Sequence, residues 1–138
     1  WLIPDVLKEA GYDCILGPTL TDRSKIELRN QSLKAPAVLS KAGLPVSIMS
    51  DHPCVPLQHL LLCAAIAVRE GMEEQEALKA ITIYPARACR IADRVGSLEV
   101  GKDADMVLYS GHPLDYMTKA EWTAINGKIV WERAEVDS

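Results

Sequence analysis

The stretch Leu44-Pro45-Val46-Ser47-Ile48-Met49-Ser50-Asp51-His52-Pro53 decides how the rest of the chain is read. Pro45 to Met49 is a short apolar run bounded by prolines and turn residues. Such a run predicts a strand buried on both faces, as in parallel sheets covered by helices. It stops on Ser50-Asp51-His52-Pro53, because Pro53 lacks a backbone N–H and pushes His52 away from helical geometry. A carboxylate at the carboxyl end of a buried parallel strand lies where α/β enzymes place their chemistry. Asp51 is therefore the first candidate catalytic residue. The plainer reading is a carboxylate that caps the next turn or helix.

Three later motifs bear on the choice. They are the block Gly96-Ser97-Leu98-Glu99-Val100-Gly101-Lys102-Asp103-Ala104-Asp105-Met106-Val107-Leu108, then Gly111-His112-Pro113-Leu114, then Asn126-Gly127-Lys128-Ile129-Val130. With Ser50-Asp51-His52, from about Gly17 to Val130, they resemble the C-terminal part of the metal-dependent amidohydrolase superfamily, in particular its imidazolonepropionase-like and prolidase-like members. The resemblance implies an α/β fold in two parts. Residues 1–94 are expected to be the C-terminal part of a (β/α)8 TIM barrel, its last two strands and their helices. Residues 95–138 are expected to be the C-terminal strands of the small composite β-sandwich domain.

In that family an Asp ending the eighth barrel strand binds metal and moves the proton, and both roles fall on Asp51. The resemblance also implies a divalent metal, zinc first, and hydrolysis of a C–N bond in a cyclic or peptide-like amide. The substrate is then a small molecule or a short peptide-like one. A complete barrel needs ~250 residues, and the family's His-x-His is missing: only His52, His59 and His112 occur. The chain is thus expected to be a fragment, inactive alone and unable to bind the metal tightly. The alternative is a non-catalytic interaction module or partner subunit natural at this length. One departure stands out, Cys89-Arg90 where the family commonly has Leu-Gly.

Composition bounds the answer independently. A length of 138 residues, 49% hydrophobic and 25% charged, suits a globular domain with its own core. A net charge of −4 argues against nucleic acid or an anionic membrane as partner. The longest apolar run, Leu60 to Val68, is too short to span a bilayer, and Trp1-Leu2-Ile3-Pro4 has no signal-peptide pattern. Cys14, Cys54, Cys63 and Cys89 show no C-x-x-C spacing, and three of the four sit among apolar neighbours. A reducing, cytoplasmic setting follows as the expectation.

Along the chain, Pro4 to Ala10 predicts a helix stopped by Gly11, and Asp13 to Gly17 a short buried strand. The loop Pro18 to Lys25 follows, where Thr21, Asp22 and Arg23 are candidates for substrate contact, with a solvated loop as the plainer reading of each. Pro36 suits a helix's first turn, and Gly43 ends that helix. Leu57 to Val68 leaves almost no polar face, so the helix from Pro56 to Glu70 is expected to be buried nearly all round, under the small β domain. Glu73, Glu74 and Glu76 suit the first turn of the next helix. Pro85 is expected to break the chain before a short helix over Ala86 to Ile91.

Asp105 to Tyr109 predicts a strand, and Asn126-Gly127 between apolar runs a hairpin. The charged tail from Glu132 is expected to fray. His52 is a candidate for orienting a loop or substrate, and strand alternation would turn it away from Asp51. His59 reads as a packed or capping residue, and in the resembled family the His112-Pro113 pair is no ligand. Gly96 to Lys102 superficially has phosphate-loop spacing, but Asp103 follows instead of Ser or Thr. Half a parallel sheet has open edges, so the chain alone is expected to self-associate.

Overall fold

Two short apolar runs meet as a parallel pair: β1 (Cys14–Leu16) aligns Cys14 with Val46, Ile15 with Ser47 and Leu16 with Ile48 of β2 (Val46–Ile48). The computed structural model describes residues 1–134. Ahead of β1, α1 (Pro4–Ala10) ends at Gly11, left-handed at φ 67°. Between the strands, α2 (Ala35–Lys41) takes Pro36 into its first turn and buries Ala37 and Leu39. Val46, Ser47 and Ile48 are all buried, while Pro45 and Met49 at the ends of the run are exposed. Gly17, just after β1, passes so close to Met49 that a Cβ there would overlap the Met49 carbonyl oxygen. Only glycine fits.

The following helix corrects an expectation. A 3-10 turn (Leu57–His59) leads into α3 (Leu60–Arg69), which is not buried nearly all round. Cys63, Ala64 and Ala67 are buried on one side, but Leu60, Leu61, Leu62 and Ile66 are half-buried and Leu57 is exposed. The small side chains let α2, α4 (Glu74–Lys79) and β2 approach closely, whereas the far side faces loop residues such as Leu114 and Tyr116 and an open groove. In α4, Glu74 and Glu76 occupy the first turn, but Glu73 is the N-cap, its carboxylate accepting the Glu76 N–H at 3.1 Å.

Pro85 does not break the chain. It is the third residue of α5 (Ile83–Ala88), where its missing N–H would have had no helical partner. That helix gives way to Arg90, left-handed at φ 59°. The main core joins Leu39, Leu44, Val46, Ile48, Cys63 and Met72. Of the four free cysteines Cys14 and Cys63 are buried, two rather than three, and Cys54 and Cys89 are exposed.

A separate antiparallel sheet runs in the order β3 (Met106–Tyr109), β4 (Ala120–Ile125), β5 (Lys128–Glu132). Asn126 at φ 50° and Gly127 at φ 72° make the two-residue turn expected of Asn-Gly. Glu132 closes β5 instead of starting the tail, and residues 135–138 of the expected tail lie outside the described residues.

Candidate functional site

The candidate site lies at the carboxyl ends of β1 and β2. Met49 makes the last link between them, donating its N–H to the Leu16 carbonyl at 2.9 Å, and the chain then turns sharply. The buried Ser50 accepts the Val55 N–H at 3.2 Å and Asp51 accepts the Cys54 N–H at 2.8 Å, both through backbone carbonyls. Inside this turn Asp51 stands at φ 55°, a region that Asp tolerates better than bulkier residues. Its carboxylate is exposed and makes no hydrogen bond among the described residues, so no cap occupies it.

His52 departs from strand alternation, because β2 has already ended at Ile48. Its Nδ1 accepts the Leu57 N–H at 3.3 Å, which ties the turn to the start of the 3-10 segment. His59 is half-buried beside Leu61 and Leu62. His112 Nε2 lies 2.7 Å from Glu74 Oε1, and its Nδ1 accepts the Leu114 N–H at 3.3 Å, which sets the second sheet's loop beside α4. The Cys63 thiol is raised by burial, against a bond to the Thr19 hydroxyl, as suits an inert packing residue.

Thr21, Asp22 and Arg23 do come together. They line an open cleft of about 380 Å³ with Thr19, Leu20, Gln31, Ser32 and Leu33. Asp51 and His52 are not among its lining residues. Gln31 is the residue that sequence reading missed, as it lay in a stretch read only as a turn. Its Nε2 donates to the Pro18 carbonyl at 2.6 Å and to Thr21 Oγ1 at 3.2 Å, while Arg23 Nη2 donates to its backbone carbonyl at 2.8 Å. A larger apolar groove of about 800 Å³ between α3, α5 and the second sheet is lined by Leu60, Leu61, Ile81 and Met106, and Asp51 does not line it.

Among the described residues no three His, Cys, Asp or Glu side chains converge as a metal site would require. The residues present therefore do not by themselves fit a catalytic metal, and Asp51 offers one carboxylate at most.

An uncommitted carboxylate just beyond the buried strand of a parallel pair marks the candidate site of this α/β fold. The sequence profile of the Amidohydrolase family matches residues 4–130, so the chain belongs to that family. It is 32% identical to the imidazolonepropionase of Thermoplasma acidophilum, over 95% of this chain and 33% of the relative. It superimposes on the crystal structure of an amidohydrolase from Thermotoga maritima with a TM-score of 0.92 and 41% identity, over 96% of this chain and 34% of that one. A Xaa-Pro dipeptidase with bound methionine shares the fold at a TM-score of 0.65 and 22% identity, over 75% and 26% of the two chains. The chain spans about a third of the length of the first two proteins.

Proposed function

We propose that this chain is the C-terminal part of a metal-dependent hydrolase that cleaves a C–N bond in a cyclic or peptide-like amide, with Asp51 as its proton-transferring group. The observation that carries the reading is the exposed, unbonded Asp51 carboxylate just past a buried parallel strand, in a chain of the amidohydrolase family. On this reading residues 1–94 hold the last two strands of a (β/α)8 barrel, and residues 95–138 belong to a small β-sandwich domain. Thr21, Asp22, Arg23 and His52 contact substrate. The imidazolonepropionase and dipeptidase relatives support a substrate of small-molecule or dipeptide size.

Asp51 accepts the proton of the attacking water as oxygen bonds to the amide carbon. It then delivers that proton to the leaving nitrogen as the C–N bond breaks. Asp51 is also one ligand of a divalent cation, zinc first, whose other ligands lie outside these 138 residues. The chemistry such a cation supplies is polarisation of the carbonyl and acidification of water. The unbridged cysteines support a reducing, cytoplasmic setting.

Exposed Ile129, Val130 and Trp131 favour a second reading, a non-catalytic partner subunit. The reading frame upstream decides between them. A His-x-His in frame, and hydrolysis of imidazolonepropionate or Met-Pro by the full-length protein, supports the enzyme. A frame without it, and no hydrolysis, leaves the partner subunit.

A further inference from the structure

We infer that Gln31 is the positioning residue of the cleft after β1, and that it sets selectivity for substrates with a free carboxylate by holding Thr21 and Arg23 in place. The inference deepens the hydrolase reading and rests on it. One residue ties down three points of a loop eight to thirteen positions away: Pro18, Thr21 and Arg23. The orientation of its amide is determined. Reversal would set Oε1 against the Pro18 carbonyl, acceptor facing acceptor. As placed, Oε1 is buried with no partner among the described residues, an unfavourable state for an amide that served packing alone.

The links have chemical consequences at the cleft. Because Gln31 donates to Thr21 Oγ1, that hydroxyl acts as acceptor there and keeps its own proton for another group. The proton's present acceptor, the Pro18 carbonyl, is 3.5 Å away, too far for a strong bond, so a ligand oxygen can take it. Arg23 is anchored by Nη2 alone, and the rest of its exposed guanidinium remains available as a planar fork for a carboxylate. A hydroxyl donor and a guanidinium lining one cleft suit the carboxylate end of a small amide.

The experiment uses the full-length protein, with imidazolonepropionate and Met-Pro as probes and their methyl esters for comparison. Gln31→Leu is expected to raise KM for the carboxylate substrate about tenfold, the scale of one or two lost hydrogen bonds. The ester's KM should change little, and kcat should fall less than KM rises. Arg23→Met should give the same pattern, and the double variant should be no worse than either single. Should Gln31→Leu melt below the assay temperature, Gln31→Met, similar in length, uncharged and unable to donate, is read by the same criteria. Equal KM increases for acid and ester, additive effects, or no change would overturn the inference. Asp51→Asn in the same protein separates the two ideas. If it retains turnover, or if the unaltered protein hydrolyses neither probe, the hydrolase reading fails and takes Gln31 with it; if it abolishes turnover while Gln31→Leu changes no KM, only the role of Gln31 fails.

Discussion

Asp105 Oδ1 accepts the backbone N–H of Asn126 at 2.8 Å, and Gly127 next to it donates its N–H to the Ala104 carbonyl at 3.0 Å. Two motifs 21 residues apart are therefore one structural unit, the first gripping the hairpin turn of the second. Asp105→Ala leaves the Asn126 N–H without that acceptor and should destabilise the fold by about 1–2 kcal/mol. Asp105→Asn keeps an acceptor oxygen and should recover most of the loss. Denaturant midpoints of the three proteins read the effect; equal midpoints would show that the bond contributes nothing.

Arg90 holds φ 59°, a conformation that a side chain disfavours and glycine does not. The sequence reading expected Leu-Gly where Cys89-Arg90 stands. Arg90 is exposed and its side chain makes no hydrogen bond among the described residues, so nothing there offsets the strain. Arg90→Gly should stabilise the protein by roughly 1 kcal/mol, relief of strain outweighing the added freedom of the unfolded chain. A lower melting temperature for the variant would contradict this.

Acid should expose the role of Glu76. Its carboxylate accepts from Lys79 Nζ at 2.8 Å and from the Tyr84 hydroxyl at 2.6 Å, and these two bonds lower its pKa. A group whose folded pKa is depressed adds stability above its unfolded value and loses it as pH falls through the folded one. The melting temperature should thus drop more steeply below about pH 4.3 than in Glu76→Gln. Parallel acid limbs would mean that the pair is too solvated to matter.

How much of this was readable beforehand depends on how local the cause is. Gly11, Pro36 and Asn126-Gly127 act within a few residues, and each formed the element expected. Pro85 misled because a proline reads alike as a breaker or as a first-turn residue; only the start of α5 at Ile83 separates the two. The burial of α3 was overread because apolarity says what a helix can bury, not what arrives to cover it. The turn that carries Asp51 was legible from its strand and its proline. Gln31 was not, since its partners lie eight, ten and thirteen residues back along the chain and no short motif encodes them.

Exposed apolar residues make a prediction about the isolated chain. Ile129, Val130 and Trp131 lie exposed on β5, at the edge of its sheet, and among the described residues β1 has no partner strand on its outer side, whereas β2 gives its outer Ile48 N–H to the Ala80 carbonyl. Unpaired edges and apolar surface promote pairing between chains. Light scattering should find species larger than a monomer, and Val130→Lys should reduce them by charging the edge. A clean monomer that binds no hydrophobic dye would refute the idea.

Asp51→Asn in the full-length protein is the most searching substitution for the proposed activity. Asparagine keeps the size of the side chain and one potential ligand oxygen, and it tolerates the left-handed conformation at φ 55° as readily as aspartate. Because the carboxylate holds no structural hydrogen bond among the described residues, the melting temperature should stay unchanged. What disappears is basicity. Turnover should fall at least ~100-fold, the usual scale of general acid–base catalysis. On the proposed reading, in which Asp51 is only one of several ligands, metal content measured on the same preparations should fall less than activity. A variant that folds normally and turns over at a near-normal rate would remove Asp51 from the chemistry. The turn between β2 and α3 would then be only a connection.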